Sequence, residues 1–349
     1  MIGHTLVARL DSVGDVLLAG PAVRAVAGDS NRVTMLVGPR GRTAADLLPG
    51  VDEVIEWQAP WVDFDHPPLT ADAVHQLVKQ VEALDADRAL VLTSFHQSPL
   101  PLALILRMAA VPWIGAISVD YPGALLDLRH HVDGDPPEAV RGLSLAAAAG
   151  YGELSIVDSA LAVKRPLPDV RSITGESPYV VVHPGAAVPA RQLSPARSRA
   201  VVAALVSAGH RVLVTGAPEE AELTRATAIG GGIDLGGRTG LAELASVLDG
   251  AEVAVVPNTG PAHLAAAVGT PVVSLFAPVV PVSRWAPHGV PCVVLGAQDS
   301  PCAGTRARTC PVPGHPCLDD IATDDVVSAV AHLSSRPSIR DEREEMRDE

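Results

Sequence analysis

Short runs rich in β-branched residues alternate with longer Ala- and Leu-rich runs along this chain, and the alternation breaks off once and restarts. Strands are predicted at 4–10, 32–38, 86–95 and 113–119, and helices at 15–28, 70–84 and 137–150. A Pro-rich, polar stretch then interrupts, "VKRPLPDVRSITGESP" at 163–178. Beyond it, strand segments fall at 179–185, 210–216, 251–257 and 271–276, with helices at 195–208, 218–229, 240–249, 260–268 and 324–335 and the short segment "IDLGG" at 233–237 between two of them. Strands alternating with helices build parallel sheets covered by helices on both faces. The expected class is therefore α/β, with two Rossmann-like domains whose parallel sheets face each other across a cleft. A length of 349 residues agrees with two domains at roughly 150 residues each. The expected boundaries are 1–165 for the first domain, 166–178 for a linker and 179–322 for the second domain. A C-terminal helix is expected at 323–335 and a charged, disordered tail at 336–349.

Composition removes several classes of function. Hydrophobic residues make up 48% of the chain and aromatics only 3%, so two cores can form, built from Ala, Val and Leu. A net charge of −14 argues against nucleic acid as a partner and gives no attraction to acidic lipid. The apolar N-terminal run contains Arg9, Asp11 and Asp15 and has no basic leader, so it does not read as a signal peptide. The apolar stretch 99–116 starts with prolines and contains Arg107. A spanning helix needs about 20 mostly apolar residues, so this stretch reads as a buried helix followed by a strand. The expected compartment is the cytoplasm. The cysteines Cys292, Cys302, Cys310 and Cys317 lack a CxxC pair. They are expected as free thiols in a packed loop, with a metal or disulfide among Cys302, Cys310 and Cys317 as the alternative.

In open α/β sheets, ligands bind beyond the carboxyl ends of the strands, so the strand-to-helix turns hold the candidate chemistry. "VVPNTGPAHLAAAVGTP" (255–271) runs from a strand through Asn258, Thr259 and Gly260 into a helix. Its N–H groups and dipole suit an anion, and His263 lies in the first helical turn. A plain capped turn with a surface histidine is the other reading. "VVHPGAAVPARQLSP" (181–195) places Arg191 in a loop after a strand, where a cation can neutralise a diphosphate or simply be solvated. "ARLDSVGDVLL" (8–18) puts Asp15 at a helix start, either as a cap or as a general base. Asp-x-Asp pairs at Asp63-Asp65, Asp85-Asp87 and Asp133-Asp135 are read as solvated acids. His130 and His131 are read as surface residues.

Together these stretches resemble the heptosyltransferases, glycosyltransferase family nine. The resemblance rests on Ser12-Val13-Gly14-Asp15 with Pro21 and Arg24 beyond, and on His183-Pro184-Gly185 with Arg191 beyond. It rests also on the run Asn258-Thr259-Gly260-Pro261-Ala262-His263-Leu264-Ala265-Ala266-Ala267-Val268-Gly269-Thr270-Pro271. The segments "GAPEE" (216–220), "DLGGRTGLAEL" (234–244) and "PCAGTRARTCPVPGHPCL" (301–318) also look like family segments, and the likeness covers about 4–333 in order. It implies a GT-B fold and metal-independent, inverting transfer of a heptose, usually from ADP-heptose, to a glycan or glycolipid hydroxyl. Asp15 would be the base. Gly185, Ala186, Ala187, Arg191, Arg238, Thr239, Asn258, Thr259, Gly260 and His263 would contact the donor. Ser12, Gly14 and His96 would lie on the acceptor side, although Ser12 also reads as a turn residue and His96 as loop surface. No metal or other cofactor is implied, and peripheral contact with the inner membrane would come only through the acceptor.

Four positions depart from the family pattern, the mildest being Arg191, where the family often has Lys. Asn258 stands where the family has Asp, and an amide cannot be an anion. Ala186 and Ala187 lack hydroxyls often found there. Altered donor specificity is the favoured reading. A nucleotide-sugar-binding homologue without catalysis and a GT-B sugar-nucleotide epimerase are the alternatives. A nicotinamide oxidoreductase ranks last, because no G-x-G-x-x-G follows the first strand.

Overall fold

The computed structural model describes residues 2–63, 65–66, 68–152 and 159–335. The expected tail at 336–349 lies outside the described residues. Contacts divide the chain after Lys164 into two compact units, each built on one six-stranded sheet. The stretch expected as a linker, 166–178, includes a short helix at Arg171–Thr174.

The first unit runs β1 (Ile2–Arg9), α1 (Val13–Asp29), β2 (Ser30–Val37), α2 (Arg42–Leu47), β3 (Glu53–Glu56), α3 (Ala71–Glu82), β4 (Arg88–Val91), α4 (Leu100–Met108), β5 (Trp113–Ile117), β6 (Leu128–His130) and α5 (Glu138–Ala148). Its strands are all parallel, in the order β3-β2-β1-β4-β5-β6. The central strand β1 is buried from His4 to Arg9, as a parallel strand covered on both faces must be. His4 tolerates this because its ring bonds Leu84 O and Thr34 Oγ1. The core under one face joins Leu6, Leu36, Leu77, Ala89, Leu102 and Ile114. On the other face α1 packs against α5, which explains why α1 is apolar on nearly every side.

The second unit runs α6 (Arg171–Thr174), β7 (Val180–Val182), α7 (Pro195–Ser207), β8 (Val212–Val214), α8 (Ala221–Ala228), β9 (Ile233–Asp234), α9 (Leu241–Asp249), β10 (Val253–Pro257), α10 (Gly260–Val268), β11 (Val272–Leu275), α11 (Val282–Trp285), β12 (Cys292–Leu295), α12 (Pro316–Asp319) and α13 (Thr323–Ser334). The order β12-β11-β10-β7-β8-β9 repeats that of the first sheet, again wholly parallel. Its core gathers Val180, Val212, Val255, Val273 and Leu318. Cys302 and Cys317 are buried in that core and Cys310 packs against it. All four cysteines are free thiols. Burial pushes Cys292 up to about 12 and Cys317 up to about 11, so both stay protonated.

In each sheet the strand order reverses at one place, between β1 and β4 in the first and between β7 and β10 in the second. The connections leave in opposite directions there, so the carboxyl ends open a crevice. The structure has the expected helix and strand at 99–116, as α4 and β5. It adds β3, β6 and β12, each at or next to a sheet edge, and the six-residue α2. The run at 86–95 yields only the four residues of β4, because the chain turns away from the sheet after Leu92 pairs with Ala8.

Leu6→Ala removes a fully buried side chain from the central strand. It is expected to lower stability by about 2–5 kcal/mol, read as a reduced urea midpoint.

Candidate functional site

Each reversal carries a cluster of polar side chains. In the first unit, β1 ends at Arg9, whose side chain is 5% exposed. Its Nη2 donates to Asp15 Oδ1 at 3.0 Å and to Ser94 Oγ at 2.9 Å. Its Nε lies 2.9 Å from Asp11 Oδ2, and its Nη1 lies 3.9 Å from Glu138 Oε2 at the start of α5. Asp15 is the third residue of α1. Its Oδ2 accepts from Ser12 N at 3.2 Å and Ser12 Oγ at 2.7 Å, so it caps its own helix while touching Arg9. Gly14 is buried in the same turn. Gln97, in the loop after β4, donates to Asp11 Oδ1 at 2.6 Å and accepts from Ser94 N at 3.2 Å. Arg141 donates to Glu138 at 3.4 Å and to Thr93 O at 2.6 Å. An apolar crevice beside this cluster is lined by Leu10, Trp61, Val62, Leu92, Thr93 and Gln97. His96 is exposed, edge-on to Phe95.

The three carboxylates of Asp11, Asp15 and Glu138 outnumber the guanidiniums of Arg9 and Arg141 by one. Their environments push them apart. Burial raises Asp11 to about 6 against the pull of Arg9, with the charge of Asp15 raising it further. Burial acts on Asp15 in the same sense, but Arg9 and the two Ser12 hydrogen bonds prevail and hold it below the usual carboxylate range. Burial raises Glu138, with Arg9 and Arg141 opposing. Side-by-side carboxyls with separated proton affinities mark a site able to move a proton.

In the second unit, β7 is followed by His183-Pro184-Gly185 and β10 by Asn258. His183 is buried with Nδ1 3.1 Å from Thr215 Oγ1. Burial lowers it to about 4, so it is neutral at pH 7 and supplies no charge. Glu220 lies above Gly185 with Oε2 3.6 Å from His183 Nε2, and accepts from Ala217 N at 2.8 Å. A Cβ at Gly185 would meet only the end of the flexible Glu220 side chain, so the Glu220 carboxylate sits directly over the glycine. Ala186 is half-buried and Ala187 exposed. Arg191 closes the turn Pro189–Arg191 and donates to Asn258 O at 3.4 Å, tying the β7 and β10 ends together. The Cys-rich loop braces that turn: Ala190 N donates to Arg308 O at 2.9 Å, and His315 Nε2 lies 3.1 Å from Ala190 O. Arg238 is exposed and Thr239 half-buried in the loop leading to α9.

Thr259 is the extended N-cap of α10, which starts at Gly260. Pro261 lacks an N–H and Thr259 N bonds Pro257 O, so Gly260 N and the Thr259 hydroxyl are the donors at this helix start. His263 lies in the first turn but is only 5% exposed. Asn258 is 4% exposed and its amide faces inward. Nδ2 donates to Ala277 O at 3.2 Å and Oδ1 accepts from Ala277 N at 3.2 Å. This two-way clamp joins the carboxyl ends of β10 and β11, and an ionised Asp could make only half of it.

Arg9, Glu138, Arg141, Gln97, Ser94 and Glu220 carry these clusters without standing out in the sequence. The one legible signal was a buried-type strand ending in Arg9. Among the Asp-x-Asp acids, Asp63 is corrected: it is buried and its Oδ1 lies 2.6 Å from Arg40 Nη2 rather than being solvated. Among the described residues, no three His, Cys, Asp or Glu side chains are grouped as metal ligands.

The profile of glycosyltransferase family 9 (heptosyltransferase) matches residues 74–315. The chain is 34% identical over 104 residues to lipopolysaccharide heptosyltransferase 3 of Escherichia coli, which is 28% of this chain and 31% of that protein. The alignment thus spans under a third of that curated relative. A glycosyl transferase family 9 structure from Veillonella parvula superposes with a TM-score of 0.75 at 17% identity, covering 95% of this chain and 97% of that one. E. coli heptosyltransferase WaaC with ADP gives 0.70 at 19% identity, covering 95% and 99%.

Asn258→Asp is expected to destabilise the protein at pH 7 by about 1–3 kcal/mol, because a buried carboxylate would face Ala277 O. The loss should shrink at low pH, where the introduced carboxyl gains a proton and can donate. Urea melts at pH 7 and pH 4.5 check both points.

Proposed function

This chain belongs to glycosyltransferase family 9 (heptosyltransferase), and we propose that it transfers a heptose or similar sugar from a nucleotide sugar to a glycan or glycolipid hydroxyl. Asp15 is the general base. The acceptor O–H gives its proton to the Asp15 carboxylate, and its oxygen bonds the anomeric carbon from the face opposite the leaving group. The bond from that carbon to the diphosphate oxygen breaks, and the configuration inverts. Arg191, Gly260 N–H, the Thr259 hydroxyl and the N-terminal dipole of α10 take up the charge of the departing nucleotide diphosphate. No residue in this reading calls for a metal.

The observation that carries the reading is the Asp15 carboxylate, held ionised at a strand-order reversal by Arg9 and Ser12 with 17% of its side chain exposed. ADP-heptose is the proposed donor. Support comes from the relatives: E. coli WaaC is known with ADP and with ADP-2-deoxy-2-fluoro heptose. A lipopolysaccharide-type acceptor is suggested by the name of the E. coli relative. No helix among the described residues is long and apolar enough to cross a membrane.

A second reading, nucleotide-sugar binding without turnover, draws on Asn258, whose amide is engaged by Ala277. ADP release from ADP-heptose, with and without a panel of glycan acceptors, separates the two. Asp15→Asn should lower the rate about 10²–10⁴-fold with donor Kd unchanged. Saturable binding with no release in the wild type favours the second reading, and a hexose or heptose epimer formed from donor alone favours an epimerase. Arg191→Ala should weaken donor binding about tenfold or more, as loss of a charged hydrogen bond does, with calorimetry as the measurement.

A further inference from the structure

We infer that Asp11 is a positioning residue that sets the base strength of Asp15 through the Arg9 guanidinium they share. The inference rests on Asp15 being the base. Arg9 spans both carboxylates, with Nε toward Asp11 at 2.9 Å and Nη2 on Asp15 at 3.0 Å. Its side chain is 5% exposed, so water does little to screen the coupling. An ionised Asp11 draws on the Arg9 charge and repels the charge on Asp15, and both effects make Asp15 hold a proton more tightly. A protonated Asp11 leaves Arg9 to Asp15, which becomes a weaker base.

Asp11 is built to change state. Gln97 donates to its Oδ1 at 2.6 Å and steadies the ionised form. The charged groups that act on it are Arg9 from β1, Asp15 from α1, Arg40 from the turn before α2, and Glu138 from α5. Burial, the largest influence, brings its titration to about 6, well above that of Asp15. Glu138, with 1% of its side chain exposed, holds the far side of Arg9 and itself leans on Arg141, so the guanidinium cannot swing away to solvent. The coupling is mutual: the charge of Asp15 raises Asp11 as much as that of Asp11 raises Asp15. The consequence is an activity that falls as pH drops through about 6, although its base is ionised far below that pH.

The test is the pH profile of ADP release from ADP-heptose, with water as acceptor, for wild type, Asp11→Asn and Gln97→Leu. The wild type should show an acid limb near pH 6. Asp11→Asn keeps an oxygen for Gln97 but stays neutral, so it should lose the limb. It should also run about three- to tenfold slower on the plateau, because Asp15 becomes a weaker base. Its donor KM should be unchanged. Gln97→Leu removes support for the ionised form and should move the limb to higher pH. A purely structural Asp11 would lower activity at every pH and leave the limb in place, and that result overturns the inference. Carboxyl-¹³C NMR of aspartate-labelled, ligand-free protein provides the second arm, assigned with Asp11→Asn and Asp15→Asn. The Asp15 signal should step as Asp11 titrates, and the step should vanish in Asp11→Asn. Absence of that step in the wild type overturns the inference even if the protein turns over. A step without any ADP release supports the coupling and counts against the transferase reading alone.

Discussion

A parallel sheet that reverses its strand order has one place where neighbouring connections leave in opposite directions, and both units of this protein are organised around that constraint. In the first, Arg9, Asp11, Ser12 and Asp15 follow β1 while Ser94 and Gln97 follow β4, so the two chain ends meet at the reversal. In the second, Gly185 and Arg191 follow β7 while Asn258 follows β10, and Arg191 binds Asn258 O across the same kind of gap. Elsewhere along the carboxyl edge a helix crosses over the strand end. At a reversal no crossing helix occupies the edge, and polar groups from two chain segments can meet there.

The ionic cluster of the first unit is costly to build. Five charged side chains, mostly buried, lose more hydration than a surface network would. Replacing such a group with apolar residues commonly leaves stability unchanged or improved. Its arrangement therefore makes sense as chemistry rather than as scaffold. Arg9 holds Asp15 ionised, Glu138 holds Arg9 and is itself held by Arg141, and Asp11 adjusts the balance. In contrast, the neutral His183 and the inward-facing Asn258 of the second unit are structural supports. They shape the loops that present Arg191 and the start of α10.

Asn258 shows how one side chain can separate a motif from its presumed role. In sequence it reads as a donor-contacting position changed from Asp to Asn. In the fold its amide clamps Ala277 from both sides, a task that needs a donor and an acceptor on one group. The Cys-rich loop carries a similar lesson. Its thiols suggest redox or metal chemistry, yet its contacts to Ala190 make it a brace for the turn that bears Arg191.

The sequence by itself determined the α/β class, the doubling of the pattern, and the turns where a ligand would bind. Buried parallel strands are continuous apolar runs, and capped helix starts follow them within a few residues, so β1 with α1 and β10 with α10 are local events. The short strands β3, β6 and β12 were not legible, because a three- or four-residue strand near an edge is defined by its neighbour's hydrogen bonds and needs no apolar run of its own. Asp15 was legible as a carboxylate at a helix start. That Arg9 grips it, that Glu138 stands more than a hundred residues along the chain behind Arg9, and that Gln97 reaches Asp11, only the tertiary structure decided. Proton affinity depends on burial and on charges brought close from distant segments, and neither quantity is written in the order of residues.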